Sequence, residues 1–409
     1  MIHAFSALRP RPDHVAHVVC PPYDVIDTAE ALALADGHPD SFLRVIRPEV
    51  TLPVGTDEHD EQVYDAGRVS LDVIRSSQAW VREEGPSLYI YRLHMAGRSQ
   101  TGIFGCVSVA DYDEGHIVRH ENTRPDKEDD RTRHILAHQA HAEPVMLAYR
   151  DVEAVSALVA ELAYGEPLLR TEYAGVLHEV WRVSDPSALQ SAFSAVTELY
   201  VADGHHRCKA SSRAAHGLRG TDGWNADAEL FPAVLFPVGE MAIMPYNRII
   251  RRLPVAHMGE FAKALDGALD AFWWSESPAP ARAGDITIYL GRELGWMGGT
   301  LPATTRELVS DTLDVSRLSE FVLEPLLGIM DSRTDRNIGF VGGIRGTAEL
   351  ERLVDSGAAA CAIAMYPTSM LELLAVSDAG LLMPPKSTWF EPKLLSGLLV
   401  HDFLPIGGV

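Results

Sequence analysis

"LYVADGHHRCKA", residues 199–210, passes from an apolar run into an acid, a glycine, two histidines and an arginine. The apolar residues read as a strand, and "HHRCKASSRAAHG" (205–217) reads as a helix closed by its glycine. At such a junction Asp203 suits the N-cap and Gly204 permits a tight approach. The N–H groups of the first helical turn lack intrahelical partners. Together with a helix dipole of about half a positive charge they form an anion site, to which Arg207 and Lys209 add full charges. A carboxylate beside a bound phosphate is repelled unless a cation intervenes or the acid has a proton to take. Mg²⁺ bridging Asp203 to phosphate, or Asp203 acting as base toward a hydroxyl, resolves the conflict, with His205 or His206 assisting the transfer. The competing reading makes Asp203 a plain helix cap and the histidines a wet helix face.

Working outward, "SLYIYRLHM" (87–95) and "QTGIFGCVSVADY" (100–112) alternate like paired strands, and "HDEQVYDAGRVSLDVIRSSQAWVREEG" (59–85) reads as a longer amphipathic helix. A charged segment from Arg119 begins as a polar loop and is expected to be helical from Asp126 to His141. The Pro/Ala/Ser-rich stretch 275–285 reads as a loop inside a second domain, which places the boundary near residue 253 and gives domains 1–253 and 254–409. Beyond it, "DITIYLG", "NIGFVGG", "TAELERLVDSG" and "ACAIAMYP" alternate strand and helix, the pattern of a mixed α/β chain. Trp273 and Trp274 are expected in its core.

With 409 residues, 46% of them hydrophobic, the chain is long enough for two or three domains with real cores. Its net charge of −22 opposes the phosphate attraction that carries most nucleic-acid binding, so no nucleic-acid partner is expected. No apolar run approaches a membrane span and the first residues lack a signal-peptide pattern, so the expected location is the cytoplasm, with no membrane partner. Four scattered cysteines without a CxxC pair suggest reduced, mostly buried thiols rather than disulfides or a cysteine zinc site.

Further constellations carry chemistry. "HENTRPDKEDDR" (120–131) crowds His120, Glu121, Lys127, Glu128 and Arg131 on a loop and the first turns of a helix, where bases could hold phosphate and acids Mg²⁺ or a substrate amine. A solvated salt-bridged face is the other reading. His134, His138 and His141 have the HxxxHxxH spacing of one helical face, which could bind zinc. "GLLMPPKS" (380–387) nearly matches a P-loop, but Pro385 replaces the second glycine and removes an N–H, so that cradle is rejected while Lys386 stays a candidate anion contact. "PPYDVI" presents Tyr23 and Asp24 on a stiff bend, and "RTDRNIGFVGG" offers Arg333; each could bind substrate.

"DGHHR" after a strand and before a helix resembles the phosphate-binding box of the ParB and sulfiredoxin superfamily, which includes archaeal kinases of free serine. In chain order "CPPYDVI", "FLRVIRPE", "RHENT", "KEDDR", "ADGHHR", "PYNRII", "DSRTDRNIGFVGG" and "MPPKSTWFEPKLLSGL" resemble the domain of unknown function 1015 family. Sulfiredoxins carry a cysteine where this chain has His205, and the helix-turn-helix that accompanies ParB is not found, so neither sulfinic acid reduction nor chromosome partitioning is implied. The resemblance implies a ParB/sulfiredoxin-like nucleotide-binding domain with an insertion, followed by a second α/β domain. It implies phosphoryl transfer from ATP or ADP, with Mg²⁺, to a small metabolite's hydroxyl, serine or a similar hydroxy acid serving as acceptor. On that reading Asp203, His205, His206 and Glu121 are catalytic, while Gly204, Arg207, Lys209, Arg119, His120, Lys127 and Arg131 hold the nucleotide. Tyr23, Asp24, Arg333 and Lys386 meet substrate, Asp203 and Glu128 hold the metal, and a homo-oligomer is admissible. A nucleotide-binding regulatory protein without turnover and a metal-dependent hydrolase remain the alternatives.

Overall fold

The paired strands expected over 87–95 and 100–112 form a hairpin that seeds the main sheet, though the second strand ends at Ser108 and Val109–Asp113 turns into a short helix that Ser108 caps. Strand β1 (Leu88–Met95) and strand β2 (Arg98–Ser108) pair antiparallel from Tyr89 opposite Phe104 to Met95 opposite Arg98. Ala96 and Gly97 at its tip take φ of 50° and 78°, the left-handed backbone whose twist matches that of the flanking strands. Around the hairpin lie β3 (Ile117–Val118), β4 (Val145–Tyr149), β5 (Leu169–Tyr173), β6 (Val176–Val183), β7 (Leu199–Asp203) and β8 (Leu230–Pro237). These eight strands take the order β3-β7-β4-β8-β2-β1-β6-β5. The sheet is mixed: β7 runs parallel to β3 and antiparallel to β4, which in turn runs parallel to β8.

Alternate residues of β7 set the packing. Leu199 and Val201 join Val145, Leu147 and Phe231 in one buried cluster that Cys208 and Ala215 also enter. Each such aliphatic side chain contributes about 1.5–3 kcal/mol by leaving water. The three longest helices among the described residues are α1 (Glu61–Ser76), α2 (Pro125–His138) and α3 (His205–Leu218). Ile135 of α2 packs on Ala210, Ala214 and Leu218 of α3, together with Ala228 and Phe403.

The computed structural model describes residues 1–255 and 257–404. It divides into two units, one of Met1–Met241 joined by the returning residues 392–404, the other of Ala242–Glu391. The boundary expected at 253 therefore moves to 241, because "YNRII" is a strand of the second unit's sheet, and the last residues belong to the first unit. Leu8 and Val400 exchange backbone hydrogen bonds of 3.0 and 2.9 Å, and Cys20 and Ser396 exchange bonds of 3.2 and 3.0 Å. All four cysteines are buried free thiols.

The second unit carries β9 (Tyr246–Ile250), β10 (Ala271–Trp274), β11 (Asp285–Tyr289), β12 (Trp296–Thr300), β13 (Ile338–Gly342) and β14 (Cys361–Met365), ordered β10-β12-β11-β14-β9-β13. Trp273 and Trp274 are 39% and 59% exposed on the edge strand β10, not in the core. A Cβ on Gly298 of the neighbouring strand would stand 2.3 Å from the Trp273 ring, so the indole covers that glycine instead of entering the interior. The mixed α/β class expected from the sequence is the one observed. Among the described residues no helix is long and apolar enough to cross a membrane.

Candidate functional site

Strand β7 does not end cleanly. Its register with β4 shifts between Val201, opposite Leu147, and Asp203, opposite Met146. Such a bulge re-aims the side chain beyond it, here the Asp203 carboxylate. Gly204 then takes φ 99° and ψ 30° and is itself the N-cap of α3. Asp203 was expected to cap the helix. The structure gives that position to Gly204, which brings no side chain, so Asp203 is placed for another task.

Asp203 is gripped by cations. Arg207 Nη2 donates to its Oδ2 at 3.2 Å and Lys393 Nζ stands 3.6 Å from the same oxygen. Burial alone would raise this carboxyl, but Lys393, Arg207 and His205 outweigh it and hold the pKa at about 2. Arg207 is buried and also donates to the carbonyl of Pro144, fastening the start of α3 to the chain just ahead of β4.

Because β3 and β7 run parallel, with Leu199 opposite Ile117 and Tyr200 opposite Val118, both chains leave the sheet at the same edge. Crevices outside the carboxyl ends of parallel strands are where ligands settle in open α/β sheets. The exit of β3 delivers His120 and Glu121 against His205. The two imidazoles meet edge to face, ring centroids 4.4 Å apart, and donor atoms of His120, Glu121 and His205 all lie within 4.8 Å of one another. Burial lowers the His120 pKa to about 4, partly countered by its hydrogen bond to the Val201 carbonyl and by Asp203. Burial and then His120 push His205 well below the usual histidine value. Both rings are neutral at pH 7.

The charged segment divides. His206 Nε2 accepts from the Arg124 N–H at 3.0 Å, tying the loop to α3. Glu128 receives the Thr123 hydroxyl and pairs with Arg213 at 3.2 Å, so its carboxylate is already engaged in joining α2 to α3. Lys127 stands 3.7 Å from Glu58, and exposed Arg119 lies over the Tyr112 ring with 5.7 Å between guanidinium and centroid. Lys209 is half-buried on α3.

Beneath this layer lies a second cluster. Arg131 stacks its guanidinium 4.0 Å from the Tyr23 ring centroid, pairs with Asp130 at 2.6 Å and stands 3.9 Å from Glu143. Glu143 accepts the Tyr23 N–H at 3.0 Å, and its burial raises its pKa against the pull of Arg207 and Arg131. Asp24 is exposed at the same bend. A cavity of about 40 Å³ is lined by Arg131, His138, Glu143, Arg207 and their neighbours.

The histidine trio does not assemble as the spacing suggested. Helix α2 stops at His138 because Gln139 turns left-handed (φ 48°), and His141 sits instead on a short strand opposite His401. Among the described residues it is His120, Glu121 and His205, not the trio, that could share a metal ion. Arg333 and Lys386 belong to the second unit. There Arg333 forms a surface pair with Asp331 at 2.9 Å, while Lys386 occupies a left-handed turn (φ 58°) with its ammonium 5.5 Å from the Tyr246 centroid. Two residues of the site were not singled out from the sequence, Lys393 and Glu143. Lys393 stood inside the quoted "WFEPKLL" and Glu143 two residues before a strand in "AEPVML", but only the fold shows that they approach Asp203 and Arg207.

Comparison with known proteins places these observations. No curated protein matches the chain. Among solved structures, SbnI with a C-terminal truncation from Staphylococcus aureus is 13% identical, with a TM-score of 0.36, covering 72% of this chain and 85% of its own. A free serine kinase mutant in complex with ADP is 9% identical, with a TM-score of 0.36 and coverage of 72% and 92%. A conserved hypothetical protein from Pyrococcus furiosus is 12% identical, with a TM-score of 0.34 and coverage of 72% and 95%. The family model described as "Protein of unknown function (DUF1015)" matches residues 2–316, well over half of the sequence. The chain belongs to the DUF1015 family.

Proposed function

We propose that the first unit binds a nucleotide at the N-terminus of α3 and passes a phosphoryl group to the hydroxyl of a small metabolite, serine or a similar hydroxy acid. The observation that carries this reading is the Asp203 carboxylate, 26% exposed, held anionic by Arg207 and Lys393 beside a helix terminus whose cap residue has no side chain. Helix N–H groups favour the phosphates. The acceptor oxygen attacks the terminal phosphorus, the bond to the leaving phosphate oxygen breaks, and the hydroxyl proton departs by way of Asp203 to water. With a pKa of about 2, Asp203 is a weak base. Its task is to orient the hydroxyl, which suits a loose transition state that asks for positioning and charge neutralisation more than proton abstraction.

Arg119, Lys127 and Lys209 are the side chains offered to phosphate, while Arg131 and Glu143 support the substrate side. Asp203 and Glu128, the carboxylates that would hold Mg²⁺, already face Lys393 and Arg213, so the ion would supply charge neutralisation at the phosphates with little help from them. Free serine kinases, one of them seen with ADP, exemplify the ligand class proposed.

The test incubates the protein with Mg²⁺, ATP or ADP, and hydroxylated metabolites including L-serine, reading phosphorylated products by mass spectrometry. Asp203→Asn is expected to lower transfer on the order of 10²-fold while nucleotide still binds. Nucleotide bound tightly with every metabolite unchanged would instead establish a regulatory protein that closes on its ligand without turnover.

A further inference from the structure

The fold puts two buried histidines and a carboxylate from two different chain exits at one point. His205 is 6% exposed and its Nε2 makes no hydrogen bond. Leaving a buried polar atom unsatisfied costs about 1–3 kcal/mol, and each such atom in a native fold calls for an explanation. His120, 1% exposed, gives a ring N–H to the Val201 carbonyl, so its other ring nitrogen carries a lone pair. An imidazole fixed in one tautomer by a backbone carbonyl is how metal-binding histidines are usually oriented.

We propose that His120, Glu121 and His205 form a binding site for a divalent transition metal of the zinc and cobalt class, with a fourth position open. Two neutral imidazoles and one carboxylate are the donor set of three-ligand zinc sites. They are a poor set for Mg²⁺, which prefers oxygen ligands and keeps its waters. Metal–ligand bonds of roughly 2.0–2.2 Å require the donors about 3–4 Å apart, so atoms now within 4.8 Å must close by roughly an ångström. Glu121, on the loop after β3, is the half-buried member of the three, the two histidines being buried, and it is the one that would shift to close the set. Asp203 adds negative potential nearby without joining the set, because its Oδ2 is committed to Arg207 and Lys393. The site stands whether or not phosphoryl transfer occurs, and its test uses no nucleotide.

The experiment titrates the metal-stripped full chain with Co²⁺ and then displaces it with Zn²⁺, monitoring visible absorption and bound metal by elemental analysis. One equivalent is expected, with Co²⁺ bands in the visible. His205→Ala and Glu121→Gln should weaken affinity by more than the roughly 10–100-fold that loss of an outer-shell partner costs, while His134→Ala leaves it unchanged. Circular dichroism shows whether each variant folds. Should His205→Ala fail to fold, X-ray absorption of the wild-type Zn²⁺ complex decides, two imidazole scatterers supporting the site and an all-oxygen shell overturning it. Absent stoichiometric binding, or binding that survives both ligand substitutions, also overturns it.

Discussion

Gly204 stands at φ 99°, and a Cβ there would lie 3.0 Å from Val145 Cγ1 and 3.1 Å from Arg207 Nε. Strain and crowding act together, so Gly204→Ala is expected to cost at least about 1–2 kcal/mol and to push the Arg207 guanidinium away from Asp203. Urea denaturation measures the first effect. The second appears as a rise in the Asp203 carboxyl pKa above about 2, read by NMR. Unchanged stability together with an unchanged carboxyl would refute the account of this junction. The sequence offered Gly204 as a residue that permits a tight approach at this junction. It did not show that glycine itself would be the cap, which frees Asp203 to face Arg207 and Lys393.

At the scale of elements, α1 and α2 are locked by a close approach. Gly67 on α1 lies where a Cβ would stand 2.6 Å from His138 Nε2, 2.8 Å from Pro48 and 3.3 Å from the Val45 carbonyl. Helix propensity alone would favour Gly67→Ala by about 1 kcal/mol. Here the clash decides the sign, and the variant is expected to melt at a lower temperature than wild type by calorimetry; a higher melting temperature would mean that α2 can retreat at little cost. The amphipathic repeat within 59–85 and the alternation within 87–112 were legible because each is local, although the helix stops at Ser76, ahead of the short strand Trp80–Arg82, and the second strand stops at Ser108. The end of α2 was not. Nothing nearby in sequence announced that Gln139 would turn left-handed and send His141 to pair with His401, far along the chain. The zinc reading of the trio failed there for that reason.

Across the whole molecule, the returning segment 392–404 completes the first unit. Asp402 takes two hydrogen bonds from Arg75 at 3.0 and 2.9 Å and one from Arg82, with its side chain fully buried. Ending the chain at residue 391 is expected to unfold the first unit, or to leave it expanded with exposed apolar surface, by circular dichroism and dye binding. A cooperative melt at the wild-type temperature would contradict this. Buried histidines set the response to acid. Burial lowers His120 and His401 to about 4 and His138 and His178 to about 3. Between those values and the ordinary 6.5 the unfolded chain binds protons that the folded one refuses. Stability is therefore full above about pH 6.5 and falls as pH drops below it, by up to ~1.4 kcal/mol per pH unit for each histidine. Urea midpoints at pH 7, 6 and 5 should decline progressively, and a flat profile would show these rings to be protonated in the fold.

Sequence alone determined the α/β class, the strand-to-helix turn at 199–210 and the family, because local periodicity and contiguous motifs carry those properties. Tertiary structure decided which charges meet. A motif of five residues specifies its own bend, but the Lys393 ammonium reaches Asp203 only because the chain returns to the first unit after residue 391. His120 and Glu121 reach His205 only because β3 and β7 run parallel and leave the sheet at one edge. Contacts between segments distant in sequence depend on sheet order and strand direction, and sheet order and direction exist only in the folded chain.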